Sequence, residues 1–224
     1  QAMVARRKGA GATGEIAGPL NEGLLIALLL AIPLTLIGWT QADAIIRFLA
    51  DDPAVIEVGT HYFQWRVLAI AAVGANFAFR GYWNGIHNAG RYLQILVIMH
   101  MANIGISYGL IFGHFGLPQM GAEGSGAGTA IAMLIGCALY FATTLYSGRK
   151  HGFLRARPRW RDIRAMLRLA VPISLQQFFF ATGITTLFWI IAQIGTDELA
   201  IAHVLINLAL FLILPGVGLG MGAT

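Results

Sequence analysis

Charged residues are scarce in this sequence: Asp, Glu, Lys and Arg make up 11% of its 224 residues, against about 25% in a typical soluble domain. Its one cysteine, Cys137, excludes an internal disulfide and any cysteine-based metal motif. No alternation of apolar and polar residues is sustained, so no strand is predicted. Hydrophobic residues reach 57% and the mean hydropathy is +0.70, which together indicate a membrane protein.

Six apolar stretches account for most of the chain. A helix needs about 20 residues to cross a ~30 Å hydrocarbon core, and backbone polar groups in lipid must be satisfied within the helix. The fold class predicted is therefore all-α, a polytopic bundle of six transmembrane helices. The stretches cover residues 21–39, 54–80, 92–113, 124–147, 169–194 and 199–222.

The basic residues lie mainly on one side of these spans. Of the 15 Lys and Arg residues, thirteen fall in alternate connections, one (Arg47) in the others, and Arg66 inside a span. Cytoplasmic loops carry excess Lys and Arg, so both ends of the chain are predicted in the cytoplasm and the protein in the bacterial inner membrane. This distribution also accounts for the net charge of +5, and no nucleic-acid partner is predicted.

The longest polar connection, residues 148–168, is strongly basic. Apolar residues at helical spacing among arginines predict an amphipathic helix at the inner membrane surface, although a solvated basic loop would have a similar composition. We interpret residues 1–147 as four helices of an N-terminal bundle, 148–168 as a linker, and 169–224 as the first two helices of a C-terminal bundle. The basic residues of the linker are Arg149, Lys150, Arg155, Arg157, Arg159, Arg161, Arg164 and Arg168.

Small residues form stripes on the third and fourth spans. Helices in lipid associate by close packing rather than by a hydrophobic drive, so such stripes predict tight contact. We expect these two spans to form an antiparallel pair, with Gly109 and Gly128 at positions where the two helices nearly touch. The stripes are Gly105, Gly109 and Gly113 on one helix and Gly124, Gly128 and Gly136 on the other.

Polar residues inside the spans are few. Arg66 either bonds to neighbouring carbonyls or faces a cavity, and Glu57 and Glu123 lie near the outer edge, so no span has a carboxylate at its middle. Histidines stand on separate helices without metal-ligand spacing, so neither a metal site nor an intramembrane enzyme is predicted. On the last two spans we expect a substrate cleft, with candidate lining residues Gln176, Phe180, His203 and Asn207.

Several motifs, taken in order, resemble the MATE (multidrug and toxic compound extrusion) family. Residues 112–130, FGHFGLPQMGAEGSGAGTA, are similar to that family's link between its fifth and sixth helices. Arg80-Gly81 with Gly85 resembles the end of the fourth helix, and Leu169-Ala-Val-Pro172 the start of the seventh. The resemblance implies that the chain covers the third to eighth of twelve helices in a 6+6 arrangement, and that the parent chain continues past Thr224.

The resemblance also implies a function: secondary active efflux of organic, often cationic, compounds in exchange for Na⁺ or H⁺. It implies no enzyme activity, no cofactor besides the coupling ion, and a monomer at full length. Alternatives are a flippase for lipid-linked precursors or polysaccharides from the same superfamily, or an intramembrane enzyme.

Family positions near the coupling ion correspond to Asn103, Ser107 and Thr129. Ser107 stands where some members have Asp, and Phe180 where some have Glu, so these positions supply no carboxylate. The coupling carboxylate is expected outside this chain, unless Glu57 provides it.

Overall fold

The computed structural model describes residues 1–50, 52–156, 158–193 and 195–222, and Arg157 and Ile194, counted above in the linker and the fifth span, lie outside them. Within the described residues the chain is helical with no strand, which confirms the predicted all-α class. Short 3₁₀ turns occupy Thr13–Glu15 and Arg149–His151. The α-helices are α1 (Ala2–Gly9), α2 (Gly18–Thr40), α3 (Ala42–Leu49), α4 (Pro53–Leu68), α5 (Ile70–Gly85), α6 (Ala89–Phe112), α7 (Gly121–Ser147), α8 (Trp160–Ala192) and α9 (Thr196–Gly222).

Local chemistry explains several of these boundaries. The Asp52 carboxylate accepts the amide of Ala54 at 2.8 Å, and Pro53 occupies the first helical position of α4, where its missing N–H costs nothing. Asn88 caps α6 in the same way, through the amide of Arg91 at 3.3 Å. Gly113 ends α6 in the left-handed conformation (φ 73°), which a side chain would disfavour.

The second predicted span, residues 54–80, was wrong as a single helix. The chain is interrupted at Ala69, where the backbone amide bonds to Arg66 at 3.3 Å, three residues back instead of four. The Val67 carbonyl accepts a hydrogen bond from the Thr35 hydroxyl of α2 at 2.9 Å, so a neighbouring helix satisfies an acceptor beside the interruption. Nothing in the hydropathy pattern indicates this break.

Length and composition suit four of the described helical segments to a membrane crossing: Thr13–Thr40, Ala89–Phe112, Gly121–Ser147 and Trp160–Ile191. A shorter apolar segment covers Ile201–Gly216. Four of the six predicted spans correspond to these segments. The second predicted span falls on the interrupted pair α4–α5 and the sixth includes the shorter apolar segment, so the count of six transmembrane helices stays a prediction. Helix α8 also differs from expectation, because its first nine residues belong to the predicted linker and continue into the fifth span without a break.

The described residues divide into two compact units, Gln1–Ile163 and Arg164–Thr224. The core of the first unit joins the C-terminal half of α7 to the N-terminal segment, and Phe79 stacks on Tyr140 with ring centroids 5.8 Å apart. Residues 1–20, which precede the first predicted span, include helix α1 and contribute to this core. Its fully buried members are Val4, Ile16, Ala17, Leu20, Phe79, Tyr82, Trp83, Ile95, Tyr140 and Phe153.

The predicted α6–α7 pair is confirmed, but its contacts differ from those expected. A Cβ built on Gly128 would lie 2.8 Å from the Ser107 Cα, and one on Gly124 would lie 2.7 Å from the Leu110 carbonyl. Gly128 therefore lies where the two helices nearly touch, as predicted, whereas Gly109 faces the loop after α6, with Leu117 as its nearest neighbour, so the prediction is wrong for Gly109. The glycines of α7 pack against larger residues of α6. The space left by a missing side chain on one helix is filled by atoms of a larger residue on the other, which keeps the two helices in close contact.

Candidate functional site

The predicted coupling-ion residues lie on the α6–α7 pair. Ser107 of α6 packs against Gly128 of α7, and Gly128 is the residue directly before Thr129. Asn103 lies one helical turn before Ser107 on α6. The Thr129 hydroxyl donates to the Ser125 carbonyl at 2.9 Å within its own helix. The Ser107 hydroxyl is buried with no hydrogen-bond partner among the described residues. This group offers neutral oxygen atoms and no negative charge, so it would need a carboxylate from elsewhere to hold a cation.

A second feature, which the sequence reasoning missed, is a cavity of about 190 Å³ between α5, α6 and α7. Asn76 lines it: its Nδ2 donates to the Met133 carbonyl of α7 at 3.1 Å, and its Oδ1 is buried without a partner in the described structure. Arg80 lies over the Tyr92 ring, 5.8 Å from the centroid, within cation–π range. The other lining residues are Val73, Phe77, Leu96, Met99, His100, Met133 and Tyr140.

The properties of this cavity define what it could bind. Its volume falls below the roughly 300 Å³ at which drug-sized pockets begin, so it suits part of a molecule rather than a whole one. The lining is largely apolar and aromatic, with one free amide oxygen and one arginine. The available sequence signal was Asn76 itself, an amide within the apolar stretch AAVGANFAF, which sequence reasoning passed over because a single amide in a span is often only structural.

The predicted substrate residues lie on α8 and α9, where all four are exposed. Gln176 and Phe180 stand one turn apart on α8, and His203 and Asn207 stand one turn apart on α9. The Asn207 Nδ2 donates to the His203 carbonyl at 2.8 Å, and the His203 ring lies 5.5 Å from the Phe188 ring of α8. The structure therefore brings His203 and Asn207 together and puts His203 against α8, while the role of the four residues remains a prediction.

The acidic residues predicted to lie near the outer edge have different environments. Glu123 of α7 bonds to the Nδ1 of His61 on α4 at 2.8 Å. Glu57 lines a cavity of about 340 Å³ together with Asp43, Arg47 and Thr60. The Arg47 guanidinium bonds to Asp43 at 2.7 Å and holds the pKa of that carboxyl below its ordinary value. Arg66, in the last turn of α4, is exposed, and neither of its two predicted roles is tested by its position.

Among the described residues there is no group of three His, Cys, Asp or Glu side chains that could hold a metal ion. The candidate sites described above contain neutral polar groups, aromatic rings, and both paired and single charged side chains.

Comparison with known proteins identifies the family. The family model MatE matches residues 1–109. A probable multidrug resistance protein NorM of Agrobacterium fabrum is 30% identical over 99% of this chain and 48% of its own length. The chain belongs to the MATE family. Multidrug resistance protein NorM of Vibrio cholerae is a further relative, 26% identical over 92% of this MATE-family chain and 46% of its own length.

Solved structures agree on the fold of the MATE-family chain. A MATE crystal structure in the straight conformation aligns with 96% of this chain and 48% of its own, with a TM-score of 0.79 and 19% identity. A MOP superfamily transporter from Pyrococcus furiosus, whose description reports a binding pocket of reverse polarity and suggests a different function, aligns with a TM-score of 0.81 and 19% identity over 96% of this chain and 48% of its own. The chain spans about half the length of the curated relatives it matches.

Proposed function

We propose that the chain forms part of a secondary transporter that exports small organic, often cationic, compounds in exchange for Na⁺ or H⁺. The observation that carries this proposal is the match, over 99% of the chain, to relatives described as multidrug resistance proteins. Exposed aromatic and neutral polar residues on α8 and α9, and the aromatic-lined cavity near Asn76, are consistent with amphipathic substrates. Gln176, Phe180, His203 and Asn207 would contact the substrate, and Asn103, Ser107 and Thr129 would lie near the coupling ion.

Export can be tested with the complete gene product that contains this chain, expressed in a bacterium deprived of its own drug exporters. We expect higher minimum inhibitory concentrations for several organic cations, and efflux of a fluorescent cation that stops when the driving ion gradient is dissipated. Collapsing the sodium and proton gradients separately would identify the coupling ion. Equal drug sensitivity with and without the protein, at verified membrane expression, would contradict the proposal.

A flippase for lipid-linked precursors is the second candidate, and one observation favours it. Arg80 lines the cavity between α5, α6 and α7, and a guanidinium suits the phosphate of such a precursor better than a cationic drug. Replacement of Arg80 by Gln separates the two functions. Loss of cell-envelope synthesis in a strain that depends on the protein would support the flippase, whereas unchanged or improved export of cations would support the drug exporter.

The orientation proposed here places both ends and the linker in the cytoplasm, with the loop between α6 and α7 outside. Two exposed residues report on it in a Cys137→Ala background: Phe115 in that loop, and Leu154 in the linker. A membrane-impermeant maleimide added to intact cells should label Phe115→Cys and not Leu154→Cys. The opposite pattern would reverse the topology, and permeabilised cells, in which both should react, provide the control.

A further inference from the structure

Asn21, in the first turn of α2, uses its whole carboxamide to hold the linker. Its Nδ2 donates to the carbonyls of Gly152 and Ala156, both at 3.1 Å. Its Oδ1 accepts the backbone amide of Leu154, also at 3.1 Å. The side chain is almost completely buried. One residue of α2 therefore satisfies three backbone groups of a connection that would otherwise need water.

Glu22, the next residue, is completely buried and contacts the same connection. Its Oε1 accepts the backbone amide of Arg159 at 3.2 Å, while its Oε2 has no hydrogen-bond partner among the described residues. A carboxylate in such surroundings is costly unless charges of opposite sign are near. The guanidinium groups of Arg7 and Arg159 belong to the same cluster, and Asp162 adds a further negative charge.

Two ion pairs surround this buried centre. Arg7 bonds to the Asp162 carboxylate at 2.5 Å and to the Glu15 carbonyl at 2.9 Å, and its side chain is 15% exposed. Arg159 bonds to the Glu15 carboxylate at the surface. Both pairs join residues before α2 to residues at or near the start of α8. Screening weakens the exposed pair, whereas the largely buried pair retains more of its strength.

The backbones themselves are also in contact. The Ala17 amide donates to the His151 carbonyl at 2.8 Å. Gly152 has a φ of 86°, and a Cβ at that position would lie 2.1 Å from the Gly14 carbonyl oxygen, so only glycine fits. Phe153 is completely buried and packs in the core of the first unit. These contacts, from Arg7, Gly14, Glu15, Ala17, Asn21 and Glu22 to His151, Gly152, Leu154, Ala156, Arg159 and Asp162, are named here the linker clamp.

We infer that the linker clamp stays closed throughout the transport cycle and keeps the linker, as far as Asp162, part of the N-terminal unit. Movement between the two units would then begin within α8, after Asp162, rather than in the connection between α7 and α8. Helix α8 is suited to this, because Pro172 cannot donate to the Arg168 carbonyl and weakens the helix one turn after that residue. The statement that the clamp stays closed during the transport cycle rests on the proposed transport function.

Limited proteolysis tests whether the clamp holds the linker. Trypsin cuts after arginine only where a segment can leave the fold, so the clamp should protect Arg155 and Arg159 in the purified complete protein. Asn21→Leu removes three hydrogen bonds at similar size and should speed cleavage at these sites at least tenfold. Thr40→Val, which removes a side-chain hydrogen bond at the other end of α2, is the matched control and should not change the rate. Equal cleavage of the Asn21→Leu and wild-type proteins would overturn the clamp.

A covalent link tests whether the clamp opens during transport. Glu15 and Arg159 are paired and partly exposed, so Glu15→Cys with Arg159→Cys, in a Cys137→Ala background, can be joined by a bifunctional maleimide with a reducible spacer. The linked protein should export a fluorescent cation within about twofold of the rate of the unlinked variant. Loss of export on linking, restored by reduction of the spacer, would show that the clamp must open and would overturn the inference.

Failure of the proposed function gives a different result from failure of the clamp. If the wild-type protein exports no compound, the transport proposal fails, while the proteolysis comparison still decides whether the linker is held. Asp162→Asn provides an independent variant if Asn21→Leu does not fold. It removes the ion pair with Arg7 and should also expose Arg159 to trypsin, and an unchanged rate at that site would count against the clamp.

Discussion

Helices α7 and α8 are both long and apolar, yet their surroundings differ. In the most apolar 18 residues of α7, 33% are buried within the chain, while none of the corresponding residues of α8 are. Small residues dominate the buried face of α7, whereas α8 presents large side chains, among them Phe178, Phe179 and Phe180. Hydropathy alone would rate these two helices as similar.

The difference shows that apolarity brings a helix into the membrane without determining what it contacts. Lipid chains are as apolar as leucine, so a leucine-rich face gains little by leaving lipid for protein. A glycine face lets two backbones approach and gain dispersion contacts that lipid cannot match. The first unit uses this device repeatedly along α7.

Polar side chains follow the same division. In the first unit some of them connect different helices, as Asn76 does with the Met133 carbonyl and Thr35 with the Val67 carbonyl. In the second unit Asn207 bonds to the carbonyl of His203 on its own helix. A side-chain amide that bonds to a neighbouring helix stabilises the fold, whereas an exposed amide can still form hydrogen bonds with a bound molecule. This difference is the basis for proposing Asn207 as a substrate contact.

The largest expected effect comes from glycines that occupy opposite environments. Gly128→Leu places a side chain into the backbone of Ser107 and should destabilise the protein by about 3 kcal/mol, because backbone atoms cannot move aside. A Cβ added at Gly183 of α8 would meet no atom within 4 Å, so Gly183→Leu should be tolerated. The yield of monodisperse protein and its melting temperature in detergent measure both. Equal losses of yield and melting temperature in the two variants would show that α8 also packs closely in the complete protein. That result would contradict the contrast drawn between α7 and α8.

A smaller effect is expected for the exposed residues of the second unit. Aromatic contacts with organic cations are worth roughly 0.5–2 kcal/mol, which corresponds to about two- to thirtyfold in affinity. Phe180→Ala and Asn207→Ala should therefore shift the inhibitory concentration of at least one compound fourfold or more, with unchanged membrane expression. Phe48→Ala, at an exposed phenylalanine of the first unit, is the control. Uniform export of every compound by both variants would remove α8 and α9 from the proposed cleft.

The smallest effect concerns His151, which bonds to the Tyr82 hydroxyl at 2.8 Å. Burial lowers the pKa of this imidazole below its ordinary value of 6.5, with help from Lys150 and Lys8. The unfolded chain then binds the proton more readily than the folded chain does, so this contribution to stability is present above pH 6.5 and declines as the pH falls toward the lowered pKa.

Melting curves at about pH 8 and about pH 5.5 measure this contribution. We expect acid to lower the melting temperature of the wild-type protein by a few degrees or less, and His151→Asn to reduce that decrease. His203→Asn, at an exposed position in the second unit, should leave the decrease unchanged. An identical pH response in wild type and His151→Asn would show that His151 does not contribute.

Part of the candidate site could be predicted from the sequence. The positions of Asn103, Ser107 and Thr129 followed from a family resemblance, and the structure brings Ser107 to the glycine beside Thr129. Asn76 and Glu22 were not singled out, because each is one polar residue in a helix and its significance depends on partners far along the chain. Asn21 contacts residues more than 130 positions away, a separation that no local pattern reports.

Composition and periodicity by themselves determined that this chain is an all-α membrane protein and where most of its helices lie, because the cost of unsatisfied backbone in lipid leaves few alternatives. Motif order determined the family. Tertiary structure alone decided that the second span breaks at Ala69, that Gly109 faces a loop while Gly128 faces Ser107, and that the linker is fixed to the start of α2. These features depend on which atoms of distant segments meet, and hydropathy, which averages over neighbours in sequence, carries no information about that.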